Sequence, residues 1–331
     1  MGVGRKLFLV GLLACLVFAA LAGYGDFREV GTLLVQFPVT YLLAALGLAL
    51  VNYFLRFLRW AFYLKTLDID VPIAVSFLIF LSGLAMTITP GKVGELVKCY
   101  LLRDRIGVPV TRSVPVVLME RLTDLLSIVL MGLIGVALLP PLVSVSLGVT
   151  LAVLAGGLYF LTNRHTDRLI HLPIIRRWAD QVREAREGMR VLSRPGPMTV
   201  AVTLGLVSWI SEGVALWVVL KGLGADIGIV LSMPIYGGSV LAGAATTLPG
   251  GLVGTEGAMV ALLQQSGSSR DVAATGTLLV RVATLWFAVA VGLAALAWFH
   301  WFLPNSRATV VKPENAEPPA ECTAEKGRAD G

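Results

Sequence analysis

Two apolar runs in this chain are interrupted in the same way, and these interruptions restrict its possible folds more than any other feature. The first reads Thr87-Ile88-Thr89-Pro90-Gly91-Lys92-Val93-Gly94-Glu95, the second Thr246-Thr247-Leu248-Pro249-Gly250-Gly251-Leu252-Val253-Gly254-Thr255-Glu256. In each, Thr89-Pro90-Gly91 or Pro249-Gly250 ends an apolar run, Gly94 or Gly254 follows, and a glutamate opens a shorter apolar run. Proline removes an N–H and stops a helix, and glycine accepts the backbone angles of a sharp reversal. Backbone freed in this way cannot face lipid; protein or a water-filled cavity must surround it. Paired broken segments in two halves of a membrane chain point to a central binding site.

The breaks do lie in a membrane-type sequence. Of 331 residues, 56% are hydrophobic and 15% charged, and the mean hydropathy is +0.80. This pattern fits an all-α, polytopic membrane protein. The net charge of +6 would suggest nucleic acid in a soluble chain, but here the basic residues flank apolar runs and serve orientation instead. Cys15, Cys99 and Cys322 have no paired spacing. His165, His171 and His300 are too scattered for a metal cluster, and no cofactor is expected. Lys92 after Pro90-Gly91 lacks the spacing and preceding strand of a phosphate loop.

In chain order, Leu7 to Ala22 is read as a retained first span, although Ala20-Leu21-Ala22 resembles a signal cleavage site. Pro38 to Leu64 is the second, with Arg56 and Arg59 near its end. Val71 to Thr89 leads into the first break and Glu95 to Leu102 out of it. Ser113 to Leu139 carries Glu120, Arg121 and Asp124, and Leu142 to Leu161 follows. From 163 to 194 there are eight arginines against four acids, with an amphipathic stretch from Arg176 to Arg190 suited to a surface helix. Pro197 to Leu220 holds Glu212, Ile227 to Leu248 and Glu256 to Leu263 flank the second break, and Asp271 to Phe302 holds Arg281.

If each broken segment enters and leaves on one side, the basic stretches all fall inside, leaving Arg28, Lys221 and Arg270 outside. The expected architecture is therefore a membrane domain over 1–303 with two inverted repeats, about 38–139 and 197–303, each containing a re-entrant helical hairpin. A basic cytoplasmic segment (163–196) joins them, and a disordered cytoplasmic tail (304–331) follows. Both termini are expected in the cytoplasm. Landmarks agree between the halves: Glu95 and Arg121 are 26 residues apart, Glu256 and Arg281 are 25 apart.

An ionisable group at mid-membrane costs about 2.5–3.5 kcal/mol to insert, so the buried charges should be paired and functional. Arg121 and Asp124 can pair along one helix. Glu120 and Asp124 share a face, for which Arg281 is the expected counter-ion. Glu95 and Glu256 open half-helices, either capping them or helping to form an anion site with the arginines. Arg56 is expected to anchor the inner interface beside Trp60, and Arg59 either to do the same or to reach the site.

These residues resemble the lysylphosphatidylglycerol synthase transmembrane domain family, the flippase-like membrane proteins. The resemblance covers nearly all of residues 5 to 303. It rests on Arg59-Trp60, Thr89-Pro90-Gly91 through Gly94-Glu95, Glu120-Arg121 with Asp124, Leu248-Pro249-Gly250 through Glu256, and Arg281. It implies an inner-membrane protein moving a lipid between leaflets; relatives are linked with aminoacylated phospholipids, polyprenyl-linked sugars or hopanoids. The chain is expected to lack the synthase's soluble aminoacyl-transfer domain, and its sequence offers no catalytic motif, so an enzyme is not expected. The expected substrate-binding residues are Arg59, Glu95, Glu120, Arg121, Asp124, Glu212, Glu256 and Arg281, with the glutamates also candidates for coupling. The expected partner is a lipid with an anionic headgroup. Two alternatives stand: a membrane enzyme using Glu120, Asp124 or Glu256 as acid and base, and a non-catalytic partner of a lipid-modifying enzyme or glycosyltransferase.

Overall fold

The computed structural model describes residues 3–89, 94–134, 145, 148–153, 155–157 and 179–302. The expected span 142–161, most of the arginine-rich stretch before Ala179, the tail, and Pro90, Gly91 and Lys92 of the first break lie largely or wholly outside these residues.

The described chain is helical. α1 (Val3–Tyr24) turns by 104° into α2 (Phe27–Gln36), an element not anticipated from the sequence. Asp26 caps α2 by accepting from the Arg28 N–H at 2.8 Å, and its own N–H is held by the Asp271 carboxylate at 2.8 Å. α3 (Val39–Thr66) follows Pro38, close to the expected span. The first broken segment is α4 (Ile73–Leu84), a turn, and α5 (Val97–Ile106), which ends at left-handed Gly107. α6 (Val110–Leu133) starts after Pro109. α7 (Ala179–Leu192) is the surface helix expected near Arg190. It packs on α6, with Gly188 against Pro115 and the Thr111 hydroxyl on Glu184, and buries Met189 and Leu192.

The second half repeats the order. α8 (Pro195–Gly222) is long, and α9 (Ile229–Ala245) and α10 (Gly254–Gln265) flank the second break. α11 (Arg270–Arg281) runs through a π-helical turn, Val282–Trp286, into α12 (Phe287–Phe302). Among the described residues, three helical stretches are long and apolar enough to cross a membrane: Val39–Thr66, Pro195–Gly222 and Arg270–Phe299. The bent pair α1–α2 is a fourth candidate.

The two longest helices, α3 and α8, pack along each other. α4 lies against α12, and α9 against α6, so each broken segment rests on the other half of the chain. Close approach at the second break depends on glycine. A Cβ on Gly243 would strike the Thr255 hydroxyl, and one on Gly254 would come within 3.0 Å of the Gly243 Cα. The turn itself runs through left-handed Gly250 and Gly251, between Thr247 (φ 54°) and Val253 (φ 71°). The latter two are non-glycine residues in a costly region. The N-terminal half has its own strap: Thr89 Oγ1 donates to the Met86 carbonyl and accepts from the Gly94 N–H, at 2.7 and 2.8 Å.

Candidate functional site

One face of α3 carries Asn52, Tyr53, Arg56 and Arg59 into the interior. Asn52 donates to the Ser208 carbonyl of α8 at 2.8 Å, which ties the two long helices together beside the charges. Arg59 is fully buried, and Arg56 is 5% exposed. Arg56 is therefore part of the buried network, not the interfacial anchor expected from its neighbour Trp60. Trp60 itself is buried and donates to Ser76 at 3.2 Å.

Asp124 is the hub. It lies 2.5 Å from Arg59, 3.1 Å from Arg121 and 3.7 Å from Arg56, and accepts from the Trp209 indole at 3.2 Å. Glu95 lies 2.9 Å from Arg121, 3.6 Å from Lys98 and 4.0 Å from Arg56. Lys98 pairs with Glu120 at 2.5 Å, and its ammonium sits 4.5 Å above the Trp60 ring.

Across the interior, Arg281 donates through Nε to Glu256 at 2.5 Å and through Nη2 to the Gly250 carbonyl at 2.7 Å. One guanidinium thus holds both the turn and the first helical turn after it. Glu212 of α8 receives the Tyr236 hydroxyl at 2.6 Å, and Tyr53 donates to the Thr284 carbonyl in the π-helical turn at 2.9 Å. The two sequence landmarks are both ion pairs, Glu95 with Arg121 and Glu256 with Arg281, so each half ties its post-break glutamate to an arginine on its following long helix.

This settles the pairing of the buried charges. The counter-ion expected for Glu120 and Asp124 was Arg281; instead Lys98 takes Glu120, the three arginines of α3 and α6 surround Asp124, and Arg281 stays with Glu256. Among the described residues, five cations (Arg56, Arg59, Lys98, Arg121, Arg281) face five carboxylates (Glu95, Glu120, Asp124, Glu212, Glu256). Ten unpaired groups at about 2.5 kcal/mol each would exceed the roughly 5–15 kcal/mol that stabilises a whole domain. The chain folds only because the charges are matched.

Glycines clear the way for the cations. A Cβ on Gly83 would come within 2.7 Å of the Lys98 stem, and one on Gly205 within 2.8 Å of Arg59 Nη1 and 2.5 Å of Ser127 Oγ. Arg59 has no exposed volume to retreat into. Gly205→Ala is therefore expected to destabilise the protein by about 1–3 kcal/mol, read as a lower midpoint of unfolding in mixed micelles. Gly196→Ala, where a Cβ meets nothing within 4 Å, serves as control.

Between the two charged groups lies a cavity of about 320 Å³. Arg56, Arg121, Asp124, Glu212 and Arg281 reach its wall, with Tyr53, Trp209, Tyr236 and Thr284; Leu125, Ile128, Val240 and Leu285 supply apolar surface. Thr247 and Leu248 line it and are exposed, so the cavity meets the surface at the second break. Of the residues expected to bind, Arg121, Asp124, Glu212 and Arg281 are on the wall; Arg59, Glu95, Glu120 and Glu256 stand behind it. Of the break residues, Thr89 and Gly250 are on the wall, Gly94 and Gly254 are packing positions, and Pro249 opens a single 3₁₀ turn. Sequence reasoning missed Lys98, Tyr53, Trp209, Tyr236 and Thr284. Only Lys98 carried a signal, as a cation three residues beyond Glu95. Among the described residues, no three His, Cys, Asp or Glu side chains are grouped as a metal site needs.

Comparison with known proteins agrees with this architecture. The family described as the lysylphosphatidylglycerol synthase TM region matches residues 8–292. A UPF0104 membrane protein of Methanothermobacter thermautotrophicus is 22% identical over 325 residues, covering 89% of this chain and 95% of the relative. With a match running from α1 into α12, and so across every element that builds the charged cavity, the chain belongs to the lysylphosphatidylglycerol synthase TM region family.

Proposed function

We propose that the protein moves a phosphate-bearing lipid between the leaflets of the cell's inner membrane, holding the headgroup in the cavity while the tails stay in the bilayer. The observation that carries this reading is a cavity between the two halves of the chain with three guanidinium groups, Arg56, Arg121 and Arg281, on its wall against two carboxylates, Asp124 and Glu212. Guanidinium matches phosphate oxygens in charge and planar geometry, and 320 Å³ falls in the roughly 300–1,000 Å³ range of small-molecule sites. An opening at the second break gives the tails a route to the hydrocarbon. Candidate substrates are aminoacylated phospholipids, polyprenyl-linked glycolipids and hopanoid-type lipids.

In this reading α3–α6 and α8–α12 are inverted repeats, and both termini face the cytoplasm. The recurring order of elements supports it, as does the exchange of contacts in which α4 packs on α12 and α9 on α6. Arg121 and Arg281 bind the phosphate; Arg59, Glu95, Glu120 and Glu256 hold those arginines and the breaks in place. A transporter is favoured over a membrane enzyme because Glu120, Asp124 and Glu256, the candidate acids and bases, are each within 2.5 Å of a cation. Carboxylates held this closely are positioned by their cations, which suits a structural part in the site better than acid–base chemistry. Arg183 of α7 is exposed, and this face would be the contact for a lipid-modifying enzyme or glycosyltransferase.

The test is leaflet exchange in proteoliposomes. Wild-type protein should expose inner-leaflet fluorescent or aminoacylated phosphatidylglycerol to an external quencher, and Arg121→Gln should slow this at least tenfold. Wild-type vesicles indistinguishable from empty ones, across several anionic lipids, would overturn the proposal.

A further inference from the structure

The cavity wall holds two carboxylates in different surroundings. Asp124 is gripped by Arg59, Arg121 and Arg56 at 2.5, 3.1 and 3.7 Å. Glu212 is 8% exposed, lines the cavity, and is bonded through Oε2 to a phenol, the Tyr236 hydroxyl, at 2.6 Å. A phenol is both donor and acceptor, so this pair survives protonation of the carboxyl. The acid would donate to the phenolic oxygen, and the phenolic hydrogen would turn into the cavity that Tyr236 lines.

The charge count gives that protonation a purpose. Among the described residues the site's five cations and five carboxylates balance, so an entering phosphodiester leaves one uncompensated negative charge at low dielectric, where such an excess is costly. We infer that Glu212 takes up one proton from water as a phosphodiester anion enters the cavity and releases it as the anion leaves. Headgroup binding would then be coupled to proton movement. This inference rests on the headgroup reading above, and it places coupling at Glu212 instead of Glu95, Glu120 or Glu256, which stand behind the wall in ion pairs.

The other charged groups facing Glu212 are consistent with a switch. From α3 come Tyr53 and Arg56, both within electrostatic range of its carboxylate. α6 contributes Arg121 and Asp124, and α11 contributes Arg281, with Glu256 of α10 behind it. In the empty cavity the arginines favour ionised Glu212. A phosphodiester that engages Arg56, Arg121 or Arg281 cancels part of that field and favours the acid.

The experiment is calorimetric titration of the purified full-length protein with dihexanoyl phosphatidylglycerol, in two buffers of different ionisation enthalpy, which counts protons. Glycerophosphoglycerol, the same diester without acyl chains, forms a second arm that separates headgroup from lipid recognition. Neither probe titrates between pH 6 and 8, so any linkage belongs to the protein. Wild type should take up about one proton per molecule bound, and affinity should rise up to roughly tenfold per unit fall in pH, levelling off once Glu212 is protonated in the empty site. Glu212→Gln should show no uptake and a flat pH dependence, whereas Glu212→Asp should retain both. Binding without proton uptake by wild type, or undiminished uptake by Glu212→Gln, would overturn the coupling and leave the headgroup reading intact. Failure of wild type to bind either diester would overturn both.

Discussion

Asp124→Ala is expected to lower the stability of the folded protein by about 3–5 kcal/mol, because it strips a buried network of its central anion. Three guanidiniums converge on this carboxylate, and Arg59, the nearest at 2.5 Å, is wholly buried. Without Asp124, Arg59 retains the Thr123 hydroxyl at 3.3 Å, a neutral partner that cannot offset its charge. The Trp209 indole also loses its bond to Asp124, one of the ties between α8 and α6 at the cavity wall. The midpoint of unfolding in mixed micelles measures the loss. Asp104→Ala is the control: it removes an exposed carboxylate 3.4 Å from Arg105, and should change stability by less than about 1 kcal/mol. Equal effects of the two changes would show that Asp124 is not the centre of the network.

The contrast between those two aspartates also shows what could be read in the chain. Composition and breakers were enough for the helical membrane architecture, because a Pro-Gly turn inside an apolar run has few solutions in lipid. Glu95, Arg121, Glu256 and Arg281 stood out because charges are rare in apolar segments. Their partners across the fold were less visible. Arg281 could equally have served Asp124 or Glu256 on charge alone, and only packing assigns it to Glu256. Lys98 sits in a helix that also holds Arg103 and Arg105, and only its place three residues after Glu95 separates it from them. Tyr53, Trp209 and Tyr236 resemble ordinary span aromatics, since periodicity in an apolar helix does not separate a lipid-facing side from a cavity-facing one. α2 did have a signal: Asp26 at the cap with Glu29 three residues later is the spacing of a capping box. It was masked by reading the first apolar run in isolation.

Arg281 gives the sharpest separation of stability from function. Arg281→Met leaves the Glu256 carboxylate, 1% exposed, without the guanidinium that now sits 2.5 Å away, and deprives the Gly250 carbonyl of its donor. A loss of about 3–5 kcal/mol is expected for the broken ion pair. Adding Glu256→Leu removes the stranded charge, and apolar replacement of a whole buried pair is often tolerated. Part of the lost stability should therefore return, leaving a deficit of about 1–3 kcal/mol for the carbonyl still lacking a partner. Because each single change strands one buried charge, the double variant should cost clearly less than the two single changes summed. Lipid movement should not return with it, because the double variant still lacks a cavity guanidinium. If the refolded double variant moved lipid at the wild-type rate, Arg281 would be a structural residue, and phosphate binding would fall to Arg56 and Arg121 alone.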